Sequence, residues 1–353
     1  MTFSARNDFF RNKIISVNFI LAIGVMFIHS ENIALYENSR FSIALFLEYF
    51  ISHSLGDLAV PTFFMMSSYL FYRNYQPNQL INKYHRRIKS TLCPYLIWNC
   101  LYLVAFFAIT SLPIISSFMT TERFTLSPHL IFEAILFHKY NKVFWFMQQL
   151  IYFIILSPLV YLLIKRKCGF AWIGAFLIIG LFYPTLPDNQ YGIRINMMVY
   201  WLIGCGFAIH KPSIFEESGS KSFVFVAIFI TCVLVITRFI LDYAIDSSTL
   251  LSFISPILLF FNVPFLWFAL SSFVPSHTPW WMRISFFIYS AHPLLVDVWK
   301  KVSARLLPDN SFFCLANYVL AVFFSFIVIT IAARFLLKYM PRTWNILNGG
   351  RQP

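Results

Sequence analysis

The chain has 353 residues, of which 59% are hydrophobic, 20% aromatic and only 12% charged, and its formal charge is +13. Soluble domains usually carry about 25% charged residues, so this composition excludes a soluble domain and, by its apolar content, a disordered chain. It excludes nucleic-acid binding as well, because the 27 Lys and Arg are scattered between long apolar runs instead of gathered on one soluble face.

A helix crosses a hydrocarbon core of about 30 Å with roughly 17 to 25 apolar residues. Ten stretches are candidates, at about 14–30, 43–71, 91–111, 143–164, 170–183, 196–208, 223–241, 250–273, 284–299 and 312–337, the fifth and sixth being short. They predict an all-α integral membrane protein of about ten transmembrane helices whose partner is the lipid bilayer. The connections are too small for a second unit, and about fifteen residues follow the tenth stretch. We therefore expect one membrane domain over 1–353 with no appended soluble domain. After the first stretch, Ser30, Glu31 and Asn32 give no small-residue cleavage pattern, so it reads as an uncleaved span.

Lys and Arg are retained on the cytoplasmic side during insertion. With the amino terminus inside, 18 of the 27 basic residues fall in cytoplasmic segments, against only Asp8, Glu216 and Glu217 of the 14 acids. Both termini are thus expected in the cytoplasm, anchored most strongly at Lys83 to Lys89 and Lys165 to Lys167, and the net charge is read as topological. The outer segment from Ser111 to Lys142 holds a semi-apolar patch, His129 to Phe137, suited to lying in the interface or folding over the bundle as a lid. Tyr95, Trp98, Trp280, Trp281 and Trp299 read mainly as interfacial anchors. The six cysteines include no C-x-x-C pair, which favours packing over redox or metal chemistry. No metal site is expected.

Ionisable groups within spans are costly and become the first candidates for chemistry. His29 lies in the outer part of the first span, eleven residues after Asn18. Eleven steps of 100° put both on one face about 16 Å apart, and Arg11 and Ala22 lie on the same stripe. A histidine bonded to a neighbouring carbonyl would give the same pattern. His292, directly before Pro293, is the second candidate, since the proline loosens the local ladder of helical hydrogen bonds. His53 and Asp57, one turn apart, with Glu48 before them, form either a proton relay or a mutually satisfied cluster. The chain has no G-x-x-x-x-G-K-S/T, no G-x-G-x-x-G after a strand, no H-E-x-x-H and no G-x-S-x-G, so nucleotide hydrolysis, Rossmann redox chemistry, zinc proteolysis and serine hydrolysis lack support.

Taken together, several segments resemble the acyltransferase-3 family of polytopic membrane O-acyltransferases. The apolar run ending Phe27, Ile28, His29 is similar to the family's first helix, in which an Arg precedes a His by eleven positions. Val60 to Leu70 resembles V-P-x-F-F-x-x-S-G-Y-L, Arg86 to Trp98 resembles K-R-I-x(5)-P-Y-x-x-W, Trp145 and Phe146 with the later Pro158 resemble W-F-x-x-x-L followed by a Pro, and Ser285 to Pro293 is similar to S-F-x-I-Y-x-x-H-P. Two departures stand out. Asn18 occupies the position of the family's Arg, and the S-G-Y step reads Ser67, Ser68, Tyr69.

The resemblance implies transfer of a short acyl group, acetyl or succinyl, from cytoplasmic acyl-CoA (acetyl-CoA in the simplest case) to a hydroxyl of a cell-surface polysaccharide or glycolipid. It also implies a bacterial inner (cytoplasmic) membrane and no resident cofactor. His29 is the expected general base, because a neutral imidazole can take the proton of an attacking hydroxyl, and His292 is the second catalytic candidate. Asn18, Arg86, Arg87 and Lys89 are the candidates for holding the donor, the cations through its phosphates, although Arg86, Arg87 and Lys89 serve equally as topological anchors. Ser67, Tyr69 and Trp145 are the candidates for substrate contact. A carrier or flippase for a glycan or lipid-linked sugar is the rival reading, and a non-catalytic scaffold of an export machine is a third.

Overall fold

The computed structural model describes residues 3–32, 43–111, 127–189, 191–244, 249–306, 308 and 310–353. Its first element, α1 (Phe3–Ser30), has 28 residues, about 42 Å of helix at 1.5 Å per residue. Next, α2 (Ile43–Tyr49) runs through a π turn at Phe50–Leu55 and a 3-10 turn at Gly56–Leu58 into α3 (Ala59–Tyr72). The basic α4 (Leu80–Arg87) passes through a π turn at Ile88–Leu92 into α5 (Cys93–Ser111). Then come α6 (Pro128–Leu136), α7 (Trp145–Ile155), α8 (Ser157–Ile164) and α9 (Gly169–Phe182). A two-stranded antiparallel pair, β1 (Thr185–Leu186) and β2 (Ile193–Arg194), precedes α10 (Ile195–His210). The chain closes with α11 (Pro212–Glu216), α12 (Lys221–Ala244), α13 (Thr249–Ala269), α14 (Ser285–Leu306), α15 (Ser311–Tyr339) and α16 (Pro341–Leu347).

All ten apolar stretches read from the sequence are helical over nearly their whole length. Among the described residues, six helical stretches are long and apolar enough to cross a membrane: Arg6–Ser30, Ile43–Tyr72, Pro77–Ser111, Lys221–Tyr243, Ser252–Phe273 and Ser311–Tyr339. The pair Lys142–Ile155 and Ser157–Ile164, bent by 64°, makes a seventh if taken as one span. The break falls at Leu156, two residues before Pro158, which removes an N–H from the helical ladder. Helices α9 and α10 are apolar but shorter, and α14 is long enough but carries Asp297, Lys300 and Lys301 in its second half. The chain is a multi-pass membrane protein. Its outer faces agree with that: Phe323, Ile327, Ile331 and Phe335 form a large exposed stripe at four-residue spacing on α15, as do Phe225 and Phe229 on α12. Such faces would be a liability in water but match hydrocarbon chains.

Close helix approach sets the centre of the bundle. Gly204 on α10 stands so near α3 that a Cβ there would lie 2.1 Å from the Met65 carbonyl oxygen and 2.8 Å from the Ser68 Cβ. The Ser68 hydroxyl donates to the Trp201 carbonyl across the same seam. The serine that replaces a glycine of the S-G-Y step is therefore accommodated by a glycine on the facing helix.

Two expectations are corrected. Tyr95 and Trp98 are buried and do not sit as interfacial anchors. The Tyr95 hydroxyl donates to the Leu136 carbonyl at 2.7 Å and the Trp98 indole to the Leu347 carbonyl at 3.0 Å, so each satisfies the end of a short helix docked against α5. The group His53, Asp57 and Glu48 is also divided. His53 pairs with Glu31 at 2.9 Å. Asp57 pairs with Arg238 at 2.6 Å, and Arg238 also meets Asp242 at 3.2 Å and the His53 carbonyl at 3.0 Å. Buried Glu48 accepts from the Asn32 N–H at 2.9 Å and from the Cys314 thiol at 3.1 Å. Each of the three side chains thus has its own partner and none is shared. Of the expected lid, residues 112–126 lie outside the described residues, whereas α6 is docked on α5 through Tyr95 and the Asn99 amide, which donates to the Ile135 carbonyl at 2.9 Å.

Candidate active site

Pro293 prepares the first part of the site. A residue in its position would donate its N–H to the carbonyl of Tyr289 four residues back, and proline has none to give. That carbonyl is instead met by the His292 ring, with Nδ1 2.8 Å away. A nitrogen that faces a carbonyl must carry the hydrogen, so Nε2 keeps the lone pair. His292 is fully buried, and its Nε2 has no hydrogen-bond partner among the described residues. A buried acceptor left unmet in this way costs stability, which marks it for a role in chemistry.

His29 comes to the same place from α1. Its ring centroid lies 5.4 Å from that of His292, the planes inclined by 44°. It occupies the last turn of α1, where carbonyls lack helical donors, and its own carbonyl accepts from Lys300 Nζ of α14 at 2.8 Å. Ser30 turns back to the Met26 carbonyl at 2.8 Å and Asn32 is held by Glu48, so the end of α1 is fixed on both sides. The two histidines, 263 residues apart in sequence, form one pair.

Beyond Tyr289, toward the end of the bundle where α1 begins, lies a cavity of about 420 Å³. Four arginines line it: Arg11 of α1, Arg87 at the end of α4, Arg283 just before α14 and Arg351 after α16. No acidic side chain is among its lining residues. Arg11 has a solvent-exposed partner in Asp8 at 3.6 Å, but Arg87, Arg283 and Arg351 have no ion pair among the described residues. Asn18 and Ser67 supply polar groups deeper in, between the apolar walls of Met66, Phe146 and Leu150. Tyr289 joins the two parts, since it lines the cavity while its ring lies 6.2 Å from His292 and its hydroxyl is tied to the Val143 carbonyl at 2.6 Å. A second groove of about 550 Å³, with Arg73, Lys83 and Arg86, shares Leu70 and Arg87 with the first.

The candidates from sequence thus separate. His29 and His292 stand together; Asn18, Ser67 and Arg87 line one cavity; Arg86 lines the adjoining groove; and Lys89, exposed on the π turn, lines neither. The Tyr69 hydroxyl donates to Glu216 at 2.9 Å and its ring stacks on Phe215 at 4.0 Å, so the side chain is committed to joining α3 to α11 beside Arg73. Trp145 also lies outside the cavity lining, and its face is covered by the Arg194 guanidinium at 4.1 Å. Sequence reasoning missed Arg283, Arg351 and Tyr289 as site residues. The two arginines count there only as cytoplasmic charge, and Tyr289 sits within the S-F-x-I-Y segment. Basicity that the charge asymmetry reads as topological includes four guanidiniums gathered around one cavity, of which Arg87 alone was a donor candidate in the sequence.

Neutral walls around four guanidiniums, three of them without an ion pair among the described residues, make a receptor for a polyanion with an apolar arm. An imidazole with a free lone pair close by can accept a proton from a nucleophile. A family model described as an acyltransferase domain matches residues 14–337. No curated protein and no solved structure matches the chain.

Proposed function

The chain belongs to the acyltransferase-3 family and is an acyltransferase; from that premise we propose that it moves a short acyl group, acetyl or succinyl, from cytoplasmic acyl-CoA to a hydroxyl of a cell-surface polysaccharide or glycolipid, with His29 as the general base. The observation that carries this reading is the adjacency of an arginine-lined cavity and a histidine pair, linked by Tyr289, which lines the cavity with its ring 6.2 Å from that of His292. The CoA phosphates meet the guanidiniums, and the thioester arm lies past Asn18 and Ser67 toward Tyr289.

In the transfer step the acceptor hydroxyl gives its proton to His29 as its oxygen forms a bond to the thioester carbonyl carbon. The carbon–sulfur bond then breaks, and the imidazolium returns the proton to the departing thiolate, which leaves as CoA thiol. His292 lies against His29 with Nε2 open, and we assign it the role of accepting a hydrogen bond that orients the base. Low surrounding polarity strengthens such a bond.

The topology that goes with this reading has ten spans and both termini in the cytoplasm, in a bacterial inner membrane. It puts Arg11, Arg87, Arg283 and Arg351 on the side where acyl-CoA is found, and it directs His29 toward the outer half, where a surface glycan arrives.

The deciding measurement is mass spectrometry of surface glycans and glycolipids from cells lacking the gene, complemented with wild type or His29→Ala at equal membrane abundance. An acyl mass increment is expected with wild type and a loss of at least about a hundredfold with His29→Ala, the usual contribution of a general base. Unchanged acylation together with altered glycan export would replace this reading with a carrier.

A further inference from the structure

We propose that residues 348–352, which follow α16 and lie beyond the matched family domain, are a built wall of the donor cavity, and that Arg351 binds a phosphate group of the donor. This rests on the donor reading given above and adds to it a residue outside the membrane spans.

The tail is held in place by a specific turn. Gly349 and Gly350 have φ of +61° and +75°, the left-handed region that glycine enters without strain. The Gly350 N–H returns to the Asn345 carbonyl at 2.8 Å and closes the end of α16. Gly349 presses on the start of α5 so closely that a Cβ there would stand 2.8 Å from Pro94 Cγ and 2.9 Å from the Ser90 carbonyl oxygen. Asn348 is fully buried, and its amide donates to the Arg351 carbonyl at 2.7 Å. Beneath the turn, Trp344 is buried against Phe287 of α14, with ring centroids 5.2 Å apart.

That turn delivers one guanidinium to the cavity. Arg351 lies over the ring of Phe286 with its Cζ 4.1 Å from the centroid, and one of its nitrogens donates to the Asn348 carbonyl at 3.0 Å. Stacking and one backbone bond fix its plane and leave further N–H donors of the fork for a ligand. No acid neutralises it among the described residues. Burial first, and then the neighbouring Arg87, pull its pKa down to about 10, so it remains charged at neutral pH beside a like charge. A phosphate between the two guanidiniums removes that repulsion. Asn18 on the α1 wall of the same cavity is a neutral amide, so Arg351 and Arg87 add to the single positive charge, Arg11, that α1 supplies there.

The test is calorimetric titration of the purified full chain in lipid nanodiscs with coenzyme A and with inorganic pyrophosphate, alongside the melting temperature of the unliganded protein. Arg351→Gln is expected to weaken both ligands about tenfold or more while the unliganded melting temperature stays at the wild-type value, and Arg351→Lys to retain part of the pyrophosphate affinity. Gly349→Val, whose side chain would press on Pro94, on the Ser90 carbonyl and on the Arg351 guanidinium, displaces both the turn and that guanidinium and is expected to reproduce the loss. Wild-type affinity for coenzyme A in Arg351→Gln overturns the tail proposal and leaves the donor reading standing. Pyrophosphate binding that depends on Arg351, without any coenzyme A binding by the wild type, overturns the donor reading and keeps the tail as an anion site. Failure of the wild type to bind either ligand overturns both.

Discussion

One missing hydrogen on Pro293 decides the chemistry available to His292. The Tyr289 carbonyl takes the Nδ1 hydrogen in place of a helical N–H, and the second ring nitrogen is left as a buried acceptor. Substitution can separate this structural bond from the free lone pair. In a His292→Asn variant the side-chain amide can still reach the Tyr289 carbonyl from near the place of Nδ1, but it offers nothing where Nε2 stood. Membrane abundance and melting temperature of that variant are therefore expected near wild type, while the acyl transfer rate falls by about a hundredfold or more. Near-wild-type turnover would reduce His292 to a helix-capping residue. The His-Pro step was readable in the sequence. The direction in which each nitrogen points was not, because the spacing names the orphaned Tyr289 carbonyl but not whether the ring turns to it, nor that a histidine 263 residues away stands against the same ring.

At the scale of elements, the seam between α3 and α10 turns on Gly204. No space remains there for a side chain, since the contact made by a Cβ would be with the Met65 backbone rather than with a yielding side chain. Gly204→Val is expected to force the two helices apart and lower stability by about 1–3 kcal/mol or more, in the range found for overpacked cores. A fall in melting temperature in detergent, with reduced membrane abundance, is the measurement that checks it. Because α3 carries Ser67 to the cavity and α10 lies behind it, residual protein should also bind donor less well. Helix positions were legible from hydropathy, as the ten stretches show, whereas burial of Tyr95 and Trp98 was not. An aromatic residue near a predicted helix end looks the same in sequence whether it meets lipid headgroups or the carbonyls of short helices such as α6 and α16.

For the whole molecule, charge asymmetry makes a prediction about sidedness. Introduced single cysteines in the connection between α8 and α9 and in that between α9 and α10, such as Lys167→Cys and Asp188→Cys, should differ in labelling by a membrane-impermeant maleimide. Asp188→Cys is expected to react in intact cells and Lys167→Cys only after permeabilisation; the opposite pattern would invert the bundle. The same basic residues carry two kinds of information that sequence superimposes. Lys165, Arg166 and Lys167 are exposed between α8 and α9, whereas Arg87, Arg283 and Arg351 converge on one cavity from segments nearly 200 residues or more removed from Arg87. Only the packing of α1, α4, α14 and the tail distinguishes an anchor from a receptor, which is why the cavity could not be read from spacing.

The glycine turn after α16 has a practical consequence for anyone handling the protein. Gln352 lines the arginine cavity, so an affinity handle joined directly after Pro353 starts beside it, where a run of acidic residues would compete for the same guanidiniums. A preparation tagged there risks registering as inactive for reasons of cloning, and a handle preceding α1, or a cleavable one followed by complete removal, is the safer design.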